Sequence, residues 1–194
     1  VHALLGENGA GKSTLMNILY GLYAHDKGTI TISGETLDIA SPNVAISKGI
    51  GMVHQHFMLI PQLSVTQNVF LGMKEAGLVL DMPKLEGRVA ELSAKFGFNI
   101  DPKSLIWQIP VGVQQKVEIV KVLMRNAKIL ILDEPTAVLT PNEVAELFAS
   151  IKSLAHAGYS IILITHKMSE VLNYADRVTV MRMGEVIGTV DVKD

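Results

Sequence analysis

Gly6-Glu7-Asn8-Gly9-Ala10-Gly11-Lys12-Ser13-Thr14 is the stretch on which the reading of this chain turns. Its first eight residues fit G-x-x-x-x-G-K-[ST]. They follow a short apolar run, His2-Ala3-Leu4-Leu5, and they open a helical pattern. In that pattern Leu15, Ile18, Leu19 and Leu22 recur at helix spacing, with Gly21 as the stop. Strand, glycine loop and helix in this order make a phosphate cradle. Gly9 and Gly11 let the backbone curl so that successive N–H groups face phosphate oxygens. The helix that starts near Lys12 adds its positive dipole end. Lys12 is placed to reach the β- and γ-phosphates of a nucleotide, Ser13 to ligate Mg²⁺ and Thr14 to touch the α-phosphate.

Outward from the loop the pattern alternates between strands and helices. Residues 28–34 alternate with period two between glycines and read as a half-buried strand. Ser41-Pro42 reads as an N-cap followed by a first-turn proline, and Gly49 closes that short helix. Residues 50–54 read as another strand. The stretch of about 63–111 is helical with loops, punctuated at Met82-Pro83 and Asp101-Pro102, and reads as an inserted helical subdomain. The expected core is therefore 1–62 and 112–194. Helices are expected over 114–125, 141–157 and 170–174, and strands over 128–132 and 160–165. A terminal hairpin is expected from 178–181 and 185–190. Thr140 with Glu143 forms a capping box. Continuous apolar strands alternating with helices predict an α/β fold: a mainly parallel sheet covered by helices, plus a small antiparallel portion.

Composition narrows the classes. The 194 residues are 48% hydrophobic and 19% charged, enough to bury a core, which excludes a disordered tail. Lys and Arg number 17 against 19 Asp and Glu, a net charge of −2. That balance argues against a general nucleic-acid binder. The absence of cysteine excludes disulfides, zinc–thiolate sites and thiol nucleophiles. The longest apolar runs are strand-sized, well short of the roughly 20 residues that span a bilayer. Val1 reads as part of a strand already under way, so the chain is expected to be a fragment.

Three further positions carry chemistry. Ile129-Leu130-Ile131-Leu132 ends in Asp133-Glu134. An aspartate closing a buried strand suits an Mg²⁺ site, and the adjacent Glu134 suits a general base facing the attacking water. Read alone, the pair has a strand-end turn with solvated acids as its lesser alternative. Gln55, directly after an apolar strand, is a neutral ligand for Mg²⁺ or water, or else a surface glutamine. His166 ends the apolar run 161–165 on the ligand edge of the sheet, where it reaches a γ-phosphate or serves as a cap. His54 and His56 form H-x-H without an evident third ligand. Trp107, the single tryptophan, suits packing or an interface, and the nine methionines suit core gaps.

Taken in order, Gly6 to Thr14, Gln55, Val111-Gly112-Val113-Gln114-Gln115, Asp133-Glu134 and His166 resemble the ATP-binding cassette (ABC) ATPases, P-loop NTPases, over essentially the whole chain. Three stretches look more narrowly like the simple-sugar and nucleoside importer branch: 54–61, 111–119 and 132–141. The resemblance implies ATP and Mg²⁺ as cofactors, Gly6 to Thr14 as Walker A and Asp133 as the Walker B aspartate. It implies Glu134 as catalytic base, Gln55 as the Q-loop and His166 as the switch histidine. In the catalytic set stand Glu134, His166, Gln55 and Lys12; Ser13, Gln55 and Asp133 stand at the metal.

The same resemblance implies a first cassette of two, lacking its leading strands, that pairs with a second cassette in one polypeptide or a dimer. Permease subunits would dock on the helical insertion and the Gln55 region at the cytoplasmic face of the membrane. An extracellular solute-binding protein would act indirectly, and no nucleic acid is implied. The sequence departs from the family at three points. The adenine-stacking aromatic would lie upstream of Val1. Thr140 stands at the D-loop aspartate. The signature reads Ile109-Pro110-Val111-Gly112-Val113-Gln114 instead of Leu-Ser-Gly-Gly-x-Gln. A soluble ABC-type ATPase acting on nucleic acid or ribosomes is the alternative; the stretch between Gln55 and the signature shows neither heptads nor a charge run. A small-molecule kinase would lack the Gln-Gln segment.

Overall fold

In the computed structural model, which describes residues 1–73 and 81–192, the run before the glycine loop is strand β1 (His2–Leu5) and the loop opens helix α1 (Lys12–Leu19). Then come β2 (Ile30–Ile32), β3 (Glu35–Leu37), α2 (Pro42–Ser47), β4 (Ile50–Val53), α3 (Val65–Phe70) and α4 (Met82–Lys95). A 3₁₀ turn (Ile106–Gln108) precedes α5 (Val111–Leu123), β5 (Ile129–Asp133) and α6 (Pro141–His156). The chain continues through β6 (Ser160–Thr165), α7 (Met168–Tyr174), β7 (Arg177–Arg182) and β8 (Glu185–Asp191). Its contacts divide it into two compact units. The first is Val1–Met52, Ala127–Glu134 and Ser160–Asp194; the second is Val53–Asn126 and Pro135–Tyr159.

The first unit is built on a six-stranded sheet of order β4-β5-β6-β1-β7-β8. β5, β6, β1 and β7 run parallel to one another, and β7 and β8 pair antiparallel. Alternation along β1 shows why such strands are apolar throughout. Ala3 packs on one side with Val171, Ala175 and Val178. Leu4 packs on the other with Met16, Ile131, Ile164 and Met181. Both faces are buried, as parallel sheets require.

Two turns depart from the simplest reading of the sequence. Residues 28–34 are not one strand. Ser33 and Gly34 take φ of 52° and 83° and fold β2 back on β3 as a two-stranded antiparallel sheet. Met183 and Gly184, at φ 50° and 81°, make the equivalent turn between β7 and β8. The Gly184 N–H donates to Ala10 O at 3.0 Å, which ties that turn to the glycine loop.

In the second unit α5 begins at Val111, three residues before the expected start. Pro110 sets its N-cap, and the chain turns helical directly after it. Thr140 and Glu143 form the predicted capping box on α6, and Ser64 with Gln67 forms another on α3. Ser41 stands at the N-cap of α2 but gives no side-chain cap bond, so first-turn Pro42 carries that start. Phe98, Phe148, Leu147 and Ile151 are fully buried within the unit. Trp107 is 63% exposed and so takes no part in that core. Among the described residues no helix is long and apolar enough to cross a membrane.

Candidate functional site

The strand order assembles the site. β5, β6 and β1 lie side by side and parallel, so their carboxyl ends share one sheet edge. β1 delivers the glycine loop to that edge, β6 delivers His166 and β5 delivers Asp133 and Glu134. This is the edge on which open α/β sheets bind ligands.

The loop itself is shaped by backbone conformation. Gly9 and Gly11 hold φ of 83° and 95°, a left-handed region that a side chain at either position would strain. Gly6 is small for another reason: a Cβ there would stand 2.5 Å from Met181 O of β7. Gly11 is the N-cap of α1, and no side chain caps that helix. Its first-turn N–H groups therefore remain a cradle for an anion. Lys12 is 5% exposed, and its ammonium donates to Gly6 O at 2.7 Å and Glu7 O at 3.0 Å. A buried cation beside a curled loop without carboxylates bonded to it is suited to phosphate. Asn8 and Thr14 are exposed, while Ala10 is buried beneath the loop.

Ser13 Oγ donates to Asp133 Oδ1 at 3.4 Å across 120 residues of sequence. A hydroxyl and a nearly buried carboxylate at this separation are hard oxygen ligands of the kind Mg²⁺ takes. Next to Asp133, Glu134 has φ of 45°, uncommon for a residue with a side chain. Its N–H donates to Ile164 O at 3.0 Å, which holds the backbone in that shape. Its carboxylate Oε1 lies 3.0 Å from Nδ1 of His166. With a carboxylate as acceptor the ring proton belongs on Nδ1, which leaves Nε2 as the acceptor of the neutral imidazole. An open cavity of about 980 Å³ borders the loop, lined by Gly6 to Ala10, His166, Met168, Arg182 and Met183 among others.

The first unit thus brings together the glycine loop, Asp133, Glu134 and His166. Gln55 lies in the second unit, exposed in a bend after β4. The following loop is held firmly: Glu118 Oε1 accepts from the Met58 N–H at 2.6 Å, and Lys121 Nζ donates to Met58 O at 3.1 Å. The signature segment also lies in the second unit. There the Gly112 N–H donates to Glu143 Oε1 at 3.2 Å, so this chain's own carboxylate caps α5. The Thr140 N–H and then the Thr140 hydroxyl hold the Glu143 carboxyl below its ordinary value of 4.5; the Gly112 N–H and the Lys116 charge add to this. Sequence reasoning found the Thr140–Glu143 box but not its reach to Gly112. It also missed Thr165 and Glu170, whose buried bond flanks His166. The only signal for that pair was a hydroxyl and an acid five residues apart around the histidine.

A strand, glycine loop and helix beside an acid-ended strand of a parallel sheet define a P-loop nucleotide-binding domain. The model of the ABC transporter family matches residues 1–137, and the chain belongs to that family. It is similar to the nucleoside import ATP-binding protein NupA of Lactococcus lactis subsp. cremoris, 52% identical over all of this chain and 38% of that protein. It is likewise similar to the glucose import ATP-binding protein TsgD13 of Haloferax volcanii, 51% identical over all of this chain and 40% of that protein. Among solved structures, cbiO1 of Clostridium perfringens, part of the ABC transporter complex cbiONQ, superposes with a TM-score of 0.84 at 31% identity. That superposition covers 98% of this chain and 76% of cbiO1. The chain spans about two fifths of the length of the curated relatives it matches.

Proposed function

We propose that this chain is the ATP-binding and ATP-hydrolysing part of a membrane importer of simple sugars or nucleosides. One observation carries the reading: Lys12 with Ser13, Asp133 with Glu134, and His166 converge at one sheet edge of the first unit. Relatives named for nucleoside and glucose import, at about half identity over the whole chain, support the solute class.

The roles follow from chemistry. The loop N–H groups and the Lys12 ammonium bind and orient the β- and γ-phosphates. Ser13 and Asp133 would hold Mg²⁺, which when bound supplies charge neutralisation to the transferring phosphoryl group. Glu134 orients the attacking water and accepts its proton. His166, with Nδ1 turned to Glu134, presents Nε2 toward the reacting groups. Gln55 is assigned on the family pattern alone. The assembly is a pair of cassettes, in one polypeptide or a dimer, at the cytoplasmic face of the membrane. Permease subunits are the direct partners and an extracellular solute-binding protein the indirect one.

The test is copurification of the full-length protein from membranes, followed by phosphate release with ATP and Mg²⁺. A hydrophobic permease in the complex and Mg²⁺-dependent turnover are expected. An active protein that elutes alone or with ribosomes or nucleic acid would favour the soluble alternative. Absence of turnover in the complete complex would overturn the assignment of the site.

A further inference from the structure

Glu170 is 4% exposed, although it stands in the first turn of α7 where an acid has water at hand. Burying a carboxylate is costly unless its oxygens are bonded. Here both are. Oε2 accepts from the Thr165 hydroxyl at 2.7 Å, and Oε1 pairs with Lys167 Nζ at 3.3 Å. The Thr165 hydroxyl also accepts from the Lys167 N–H at 3.0 Å, and the Glu170 N–H donates to Lys167 O at 3.1 Å. Bonds therefore run from Glu170 to Thr165, from Thr165 to Lys167 and from Lys167 back to Glu170. The residue enclosed between Thr165 and Lys167 is His166.

We propose that Glu170 is a positioning residue for His166. The proposal rests on the roles given above to Glu134 and His166. The His166 side chain is 45% exposed, so packing alone does not fix it. It meets Glu134 at 3.0 Å because the residues on both sides of it are tied through their side chains to one buried carboxylate. A plain stabilising role at the helix start does not account for the arrangement. An exposed acid would complement the dipole equally well. Glu170 instead reaches off its own helix to the end of β6 and desolvates to do so. Bonds of this kind tune placement, and misplacing a group by about 1 Å costs on the order of a hundredfold in rate.

The experiment uses the full-length protein carrying Glu170→Ala, Glu170→Gln or Thr165→Val. Glu170→Gln keeps an oxygen for the Thr165 hydroxyl; Glu170→Ala and Thr165→Val break that bond. Glu170→Ala and Thr165→Val are expected to lower kcat about tenfold or more, with KM for ATP changed less than about threefold. Glu170→Gln is expected to restore most of kcat. Independently of turnover, nitrogen NMR of the His166 ring, assigned with His166→Gln, should show the proton on Nδ1 in the wild type and in Glu170→Gln. That tautomer should be lost in Glu170→Ala and Thr165→Val. Unchanged kcat and an unchanged ring signal in Glu170→Ala would overturn the proposal. So would parallel losses in kcat, KM and melting temperature that Glu170→Gln does not restore, since these mark a structural role only. If the wild type fails to hydrolyse ATP, the functional reading falls, and the ring signal still decides this one.

Discussion

His166 Nδ1 and Glu134 Oε1 lie 3.0 Å apart, joining the ends of two adjacent parallel strands, β6 and β5. The bond does two things. It selects the ring tautomer, and it holds the carboxylate of a residue whose own backbone is in a left-handed conformation. Strain of that kind costs about 1–3 kcal/mol and persists where neighbours over-determine it. The Ile164 carbonyl and the His166 ring are those neighbours.

Glu134→Gln keeps the shape and an oxygen for His166 but removes the base. Turnover at the site held by Lys12 should fall by about a hundredfold to ten-thousandfold while ATP still binds, so total turnover falls to what the other site supplies. Phosphate release and equilibrium nucleotide binding on the full-length protein check both halves. Normal hydrolysis would place the base elsewhere.

Lys12→Ala removes a buried ammonium from two loop carbonyls and from the phosphates. ATP affinity should drop by about tenfold or more, and hydrolysis should be lost, because bonds from a charged donor are each worth about 1.5–3 kcal/mol. Titration with a fluorescent nucleotide gives the affinity. Equal turnover by the variant would remove Lys12 from the site.

Gly6→Ala tests the close approach of loop and strand. The new Cβ would stand 2.5 Å from Met181 O and 3.0 Å from Ala10 Cβ, and a backbone carbonyl in a sheet has little room to yield. A loss of roughly 1–3 kcal/mol in stability is expected, together with weaker nucleotide binding. Thermal melts with and without ATP separate the two effects. An unchanged melting temperature would show that the loop relaxes at no cost.

Gly112 and Glu143 give a pH-dependent prediction. Glu143 titrates below its ordinary 4.5 in the folded chain. A depressed carboxyl adds stability that is complete above the unfolded value and is lost as pH falls through the folded one. Glu143→Gln should therefore melt lower than the wild type at neutral pH, and the difference should close as pH falls below 4.5 and through the folded value of Glu143. Gly112→Ala would set a Cβ 2.6 Å from Glu143 Oε1, a flexible atom that moves away, so it should reproduce only the smaller part of the neutral-pH loss, the Thr140 bonds remaining. A gap that persists at low pH would mean that the cap is not what Glu143 contributes.

The signature segment gives the last prediction. Pro110 offers no N–H, and the Gly112 N–H is already spent on Glu143. In a paired cassette the ATP site completed by this segment should turn over about tenfold to a hundredfold more slowly than the site held by Lys12 and Glu134. In the full-length protein, Glu134→Gln should abolish nearly all hydrolysis. The matching change in a second cassette should spare most of it, and the reverse pattern would show the signature to be competent.

What the sequence determined by itself was local. The glycine loop, the helix it opens and the Thr140–Glu143 box each follow from residues within a few positions of one another. Their bonds close over one turn, so residue type and spacing suffice. The apolar strands were legible as strands for the same reason, but their order was not, because β1, β5 and β6 carry the same continuous pattern and any of them fits beside any other. Tertiary packing placed β6 between β1 and β5. That choice brings Asp133 to Ser13 across 120 residues and His166 to Glu134 across 32. It also decided which acids are buried. Glu170 and Glu143 both sit in first turns of helices, where the sequence reads them alike. Only the fold turns one fully inward to Thr165 and leaves the other half-buried to reach Gly112.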